Sequence, residues 1–442
     1  VSRRYANSNY ELTPLRRVIH KVQYGISLPA TEEPIGLPMI RMNNLQNDGW
    51  DFTDLKYIEL SEEEAEPYRV NPGNILFNRT NSKELVGKCE VFRETGDWVF
   101  ASYLIRVVLD QTKVIPEFMS NFLSAKAGRI QIDRVSRQII GMSNVNAEEL
   151  QDLLIPLPSV EVQRSLVAEI EAARQSRKQK LAQADELLSS LDGYLLDQLS
   201  LSAPEESDRS AYAVQLKQIK GGRCDALYHA PSFIKIVKAL AGCAFPIFSL
   251  DAIILNPVGG ATPKRSDAEL YADNGVKFLR ILNIKPYEID LVDIKFIKDT
   301  VHSGDLARSQ LAKDDVLVTI TGRVGTAAVV PQEILPANIN QHIVRLRIYQ
   351  DNCLPQYLAA YLNSSIGLSL SNRSVTGGTR IALDYEAIRS LQVPLPPIDV
   401  QEAIVNEVEM RRTKAKLLRQ EAETEWEAAK IRFEHKLLGE EA

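Results

Sequence analysis

Residues that could do chemistry are thinly spread along this chain of 442 amino acids. The acid-rich stretch "DLVDIK" (Asp290–Lys295) is only superficially like a metal-nuclease carboxylate cluster, and the favoured reading is a run of acids on an exposed strand. The segment "TGRVGTA" (Thr321–Ala327) lacks the Lys-Ser/Thr ending and the glycine spacing of a phosphate-cradling loop. "NPGN" and "NPVG" are turn signals, not the Asn-Pro-Pro-aromatic tetrapeptide of an amino-methyltransferase. The histidines (His20, His229, His302, His342, His435) fall at no metal-ligand spacing. The cysteines (Cys89, Cys224, Cys243, Cys353) include no CxxC pair, which argues against zinc and against a disulfide framework. The expectation is a chain with no catalysis, no metal and no cofactor of its own.

Composition narrows the class further. Hydrophobic and charged fractions of 45% and 25% are those of an ordinary globular protein long enough for two or three domains. No apolar run approaches bilayer length, and "VSRRYANSNY" contains no signal-peptide core, so a cytoplasmic location is expected. Val1 in place of Met suggests a processed or trimmed start. The net charge of −6 is mildly acidic. Any nucleic-acid binding would therefore rest on local rather than overall charge.

The elements that would position functional residues are organised by an internal repeat, which emerges when the chain is slid on itself by about 240 residues. "MIRMNNL" (Met39–Leu45) meets "FLRILNI" (Phe278–Ile284), with an Arg and an Asn kept in place. "GNILFNRTNSKELVGKCEVF" (Gly73–Phe92) meets "DDVLVTITGRVGTAAVV" (Asp314–Val330). "YLIRVVL" (Tyr103–Leu109) meets "HIVRLRI" (His342–Ile348), and "PEFMSNFLSAKAG" (Pro116–Gly128) meets "PQYLAAYLNSSIG" (Pro355–Gly367). Last come "IPLPSVEVQRSLVAEIE" (Ile155–Glu171) and "VPLPPIDVQEAIVNEVE" (Val393–Glu409). Matches that keep one order along the chain establish a duplication.

Each copy reads as a β-rich globular part with one amphipathic helix after Pro116 or Pro355, where proline suits the first turn. A long helix follows. Residues 159–200 and 398–438 contain no internal Pro and are rich in Glu, Lys, Arg, Gln, Ala and Leu. Apolar residues at 181, 184, 188, 191, 195 and 199 alternate three and four, and Ala415, Leu418, Ala422, Trp426, Ala429 and Phe433 keep nearly that rhythm. Such spacing is a coiled-coil seam, on helices spanning on the order of 60 Å. Ser159 can cap the first long helix, and Asp399 can sit in the first turn of the second. Connectivity then predicts an antiparallel helix pair with one globular domain at each end. The expected fold is α+β with a pseudo-two-fold repeat: domain 1 over 1–158, a spacer helix over 159–201, domain 2 over 202–397 and a second spacer helix over 398–442.

At this level the chain resembles the specificity subunit of type I restriction–modification enzymes. The resemblance covers nearly the whole sequence. It rests on the tandem domains, on the strand-and-glycine segments "GNILFNRTNSKELVG" and "DDVLVTITGRVG", and on the leads "GMSNVNAEELQDLLIPLP" and "GGTRIALDYEAIRSLQVPLP" into the helices. The first copy departs from the pattern where "GMSN" stands for Gly–Gly–Thr–Arg. The family implies two target recognition domains, each reading half of a split double-stranded DNA site. It implies helices that set the spacing and dock two methyltransferase (modification) subunits, with motor-nuclease (restriction) subunits joining. S-adenosylmethionine, ATP and Mg would then belong to those partners only.

Base-reading side chains are expected on polar and basic loops, where Arg suits guanine and Gln suits adenine. In domain 1 the candidates are Arg79, Asn81, Ser82, Lys83, Arg134, Arg137, Gln138, Ser143 and Asn144. In domain 2 they are Thr321, Arg323, Thr326, Gln341, His342, Arg373, Ser374, Thr376 and Arg380, of which Arg323 and Arg380 are favoured because the glycines before them let the backbone approach closely. Domain 1 is slightly acidic and domain 2 slightly basic, so the isolated chain is expected to bind DNA weakly. The competing readings are a specificity subunit of another restriction or phage-defence assembly, a coiled-coil scaffold with no DNA role, and a cryptic nuclease or methyltransferase.

Overall fold

The computed structural model describes residues 8, 10–46, 49–83, 85–139, 142–202, 211–219, 223–263, 270–377 and 381–439. The chain divides into two compact units, one of residues 1–182 with 418–442 and the other of residues 183–417, so the division falls inside both long helices.

In the first unit the centre is an antiparallel sheet in the order Ile19–Tyr24, Leu104–Leu109, Ile75–Asn78, Cys89–Val91. Ile75–Asn78 is buried throughout, which is why it reads as a continuous rather than alternating apolar run. A second sheet orders Val99–Phe100, Leu37–Ile40 and Lys56–Ile58, with Val99 beside Met39 in a parallel pair. Leu12–Pro14 pairs antiparallel with Leu154–Pro156 and closes the domain just before the long helix. The core of the unit packs Phe77, Phe118 and Phe122 against Leu166, Ile170 and Phe433 of the helices. Within this unit Lys436 reaches Glu169, Arg177 reaches Glu423 at 3.2 Å, and Lys180 reaches Glu421 and Glu425 at 2.9 and 2.6 Å. Partner numbers fall as residue numbers rise, so these helix segments run in opposite directions.

The second unit repeats the central sheet and the closing strand pair, while its second sheet has four strands where the first unit has three. Its central sheet orders Val258–Gly259, Ile343–Leu346, Val316–Thr319 and Ala327–Val329. Its second sheet orders Tyr271–Ala272, Lys295–Ile297, Val276–Leu279 and Ala337–Ile339, the last two parallel. Ile247–Ser249 pairs with Gln392–Pro394 before the second long helix. Tyr357 and Tyr361 are fully buried here among Leu195, Leu199, Ile404 and Val408.

The repeated joint is a buried glutamine one turn into each long helix. Gln163 accepts from the Ile115 N–H at 2.9 Å and donates to the Lys113 and Pro158 carbonyls at 2.8 and 2.9 Å. Gln401 accepts from Leu354 N–H at 2.9 Å and donates to Asn352 and Pro396 at 2.8 Å each. The helices run Val160–Gln198 and Ile398–Leu438. Ser159 Oγ accepts from the Val162 N–H, and Asp399 lies in the first turn of its helix, both as the sequence suggests.

Two expectations need correction. The single helix after each proline is in fact two, Pro116–Ser124 then Lys126–Val135, and Pro355–Leu362 then Ser365–Ser374. The chain turns so tightly that a Cβ on Gly128 would lie 2.2 Å from the Phe122 carbonyl oxygen, and one on Gly367 would lie 2.2 Å from that of Tyr361. The acidic part of "DLVDIK", residues 290–294, is not a strand but a turn between Glu288–Ile289 and Lys295–Ile297, with Asp293 at φ 56°. The Asp290 carbonyl there is held by Asn283 at 2.8 Å.

Candidate nucleic-acid interface

In the first unit a three-stranded antiparallel sheet, Arg137–Ile139, Met142–Asn144 and Thr80–Asn81, gathers most of the candidate residues. Gln138 sits opposite Ser143, and Ser143 opposite Asn81. Arg79, one residue before this sheet, donates to Asn144 Oδ1 at 3.2 Å and lies 4.8 Å over the Tyr24 ring. Asn81 Oδ1 accepts from the Ser82 N–H at 2.8 Å, shaping the turn that exposes Lys83. Arg137 is exposed and pairs with Glu149 at 2.8 Å. Arg134 projects from the last turn of its helix. Ser143 is buried and cannot meet a ligand as the strand stands.

The corresponding surface of the second unit uses the same backbone frame. Arg79 N–H donates to the Tyr103 carbonyl at 3.0 Å, and Ile320 N–H donates to that of His342 at 3.0 Å. Likewise the Arg79 and Ile320 carbonyls accept from Val145 and Leu383, each at 2.9 Å. On this shared frame the side chains differ. Gln341 Nε2 donates to His342 Nε2 at 3.2 Å, which puts the imidazole proton on Nδ1, facing Thr321 Oγ1 at 2.9 Å. Thr262 hydroxyl closes the chain on Gln341 Oε1. With Thr321 oxygen accepting, its own hydrogen is left to donate outward.

Arg323 is exposed, and its guanidinium has no hydrogen bond or ion pair among the described residues. Gly322 and Gly325 on either side of it have φ of 63° and 86°, and a Cβ on Gly325 would meet Ser371 at 2.8 Å. Thr326 is buried, its hydroxyl donating to the Arg323 carbonyl at 3.1 Å, so it shapes the loop rather than facing out. Thr376 pairs with Ala382 through two 2.9 Å backbone bonds, which sets that hairpin beside Ile320. Arg380 lies outside the described residues.

Arg373 and Ser374 end the helix Ser365–Ser374 and are occupied within the unit. The Arg373 guanidinium lies 3.9 Å over the Tyr228 ring and donates to the Tyr228 carbonyl at 3.1 Å. Arg223 lies 4.8 Å over the same ring and donates to the Ser374 and Val375 carbonyls at 3.0 and 2.6 Å. The repeated arginines Arg106 and Arg345 are likewise spent on backbone. Arg345 donates to the Gln310 carbonyl at 2.7 Å and Arg106 to Pro67 at 3.1 Å, and burial lowers the pKa of both.

Sequence reasoning missed the turns Met42–Asn44 and Ile281–Asn283 that flank these loops. Asn81 Nδ2 approaches Met42 Sδ at 3.6 Å, and Ile281 Cδ1 lies 3.3 Å from where a Gly322 Cβ would be. The signal was the Arg and Asn kept in the repeat. Asn44 and Asn283 are the buried residues that lock these turns. Among the described residues no cluster of His, Cys, Asp and Glu is set to hold a metal, and no helix is long and apolar enough to cross a membrane.

Two copies of one scaffold carrying different polar surfaces define a tandem recognition protein. Residues 21–182 and 254–410 match the type I restriction modification DNA specificity domain, and the chain belongs to that family. A putative type I restriction enzyme MjaX specificity subunit from Methanocaldococcus jannaschii is 21% identical over 90% of this chain and 85% of its own length. The StySPI specificity subunit of Salmonella potsdam is 23% identical over 84% of this chain and 74% of its own. A solved chain from a study of complex assembly and conformational transition of the type I R-M system superposes with a TM-score of 0.57 at 16% identity, covering 97% of this chain and 96% of that one. That likeness is one of fold.

Proposed function

We propose that the chain is the DNA-reading subunit of a type I restriction–modification complex, with each unit reading one half of a bipartite duplex target. The observation that carries this reading is divergence on an unchanging frame. The backbone bonds around Arg79 and Ile320 are the same, while Arg79, Asn81 and Ser82 become Ile320, Gly322 and Arg323. A scaffold without a DNA role has no use for two such surfaces. Exposed Arg323, Lys83, Arg137 and Arg134 offer phosphate or guanine contacts, and Thr321 offers a donor held in place by His342.

On this reading the long helices form an antiparallel coiled coil that fixes the distance between half-sites. Their charged outer faces dock two modification subunits, which supply S-adenosylmethionine chemistry, while restriction subunits supply ATP- and Mg-dependent steps. The chain itself has no catalytic role, and the assembly works in the cytoplasm. The test is duplex binding by the chain assembled with its modification subunits, with each half of the target scrambled in turn. Loss of specific binding on scrambling either half supports the reading, and indifference to both overturns it.

A further inference from the structure

Leu282 and Val292 are large apolar side chains left 67% and 74% exposed. Both belong to one rigid device. Asn283, which is buried, accepts from the Arg280 N–H at 2.9 Å and donates to the Asp290 and Val292 carbonyls at 2.8 and 3.2 Å. Arg280 adds a 2.5 Å bond to the Asp293 carbonyl. These bonds bring the turn carrying Leu282 against the turn carrying Val292. The neighbour of Leu282, Ile281, packs at Gly322, next to exposed Arg323.

The first unit builds the same device with a different tip. Asn44 accepts from Arg41 N–H at 2.9 Å and donates to the Asp51 and Asp54 carbonyls at 2.9 and 3.0 Å. Met42 touches Asn81 there, and the residue aligned with Leu282 is Asn43, also exposed. A stiff turn beside the recognition loop thus presents a polar amide in one unit and a branched aliphatic group in the other. An apolar group held rigid next to an unpaired cation suits a surface that is anionic at its rim and apolar within. A DNA major groove lined by phosphates and carrying thymine methyl groups is such a surface.

We propose that Leu282 is a specificity-determining residue of the second unit that packs on a thymine methyl group in its half-site. Asn43 is the corresponding determinant of the first unit, reading a base edge by hydrogen bonding. This inference rests on the DNA-reading assignment above and names a further contact within it.

The experiment uses the full chain assembled with its modification subunits and duplexes in which each thymine of the second half-site is replaced, one at a time, by uracil. Uracil removes only the C5 methyl group, so one position should lose about fourfold in affinity, the value of one buried methylene-sized group. In Leu282→Ala the same replacement should have no further effect, while thymine replacements in the first half-site behave as in the wild type. Leu282→Met should retain part of the sensitivity. Thermal melting of both variants should match the wild type, since Leu282 is exposed. Specific binding that is insensitive to every uracil, or equally sensitive with and without Leu282, overturns the inference and leaves the DNA-reading assignment standing. Absence of sequence-specific binding to any duplex overturns the assignment itself.

Discussion

Gln163 and Gln401 occupy one position of the duplicated scaffold and satisfy the same set of backbone groups, one N–H and two carbonyls each. Both side chains are fully buried. The long helix of each unit is thereby bonded to the loop that precedes the helix at Pro116 or Pro355. The echoed "EVQ" and "DVQ" of the sequence are this joint.

Replacing either glutamine by alanine strands one N–H and two carbonyls, one of those carbonyls in a buried bond and the other two groups part-buried. Each unsatisfied group costs about 1–3 kcal/mol, and partial relaxation should hold the total near about 3 kcal/mol. Native-state hydrogen exchange should show the loss in the unit that carries the mutation and little change in the other. Equal losses of protection in both units would mean that the joint is not local.

Gly128 and Gly367 should tolerate no side chain. A Cβ at either position would lie within 2.2 Å of a backbone oxygen, which no rotamer change can relieve. Gly128→Ala and Gly367→Ala should each destabilise by about 1–3 kcal/mol or more in urea titrations. Gly193, which has nothing within 4 Å of the added Cβ, is the control, and its alanine variant should be neutral or slightly stabilising.

Arg323 and Arg373 should separate binding from folding. Arg323→Ala should weaken specific duplex binding by about 1–3 kcal/mol if it meets a base, or reduce the salt dependence by about one ion if it meets a phosphate. Its melting temperature should not move. Arg373→Ala removes the guanidinium from the Tyr228 ring and should lower stability, with hydrogen exchange quickening around Tyr228 and Thr376. A stability loss in Arg323→Ala, or none in Arg373→Ala, would reverse these roles.

The thiols should differ sharply in reactivity. Burial pushes the Cys89 and Cys353 thiols up to about 12, so at neutral pH neither carries appreciable thiolate. Cys224 is exposed. Maleimide at pH 7.5 should modify Cys224 within minutes and reach Cys89 and Cys353 only on unfolding. The shift also sets a sign: the unfolded thiols ionise first as pH rises through the ordinary thiol range, so stability falls there. Rapid labelling of Cys89 in the native protein would contradict its place in the core.

Much of this molecule is legible in its sequence because the duplication is an internal control on every local pattern. The repeat alone marks the strands Ile75–Asn78 and Val316–Thr319, and the Pro-Leu-Pro segments mark the helix starts. What the sequence hides is tertiary. Thr326 and Ser143 look like loop polar groups, but strand register and a tight turn bury them. Arg373 looks available until Tyr228, far back in the chain, is seen beneath it. The break at Ala125 carries no proline, because close approach at Gly128 rather than local propensity imposes it. The locking role of Asn44 and Asn283 was visible only as conserved spacing between the two halves.

Division of one DNA target between two units on one chain should be visible in the host's modified sites. Methylome sequencing of the host with and without this gene tests it most directly. The expected result is one modified bipartite motif, two defined halves around an unread gap, that disappears when the gene is deleted. No change in any modified motif would contradict it.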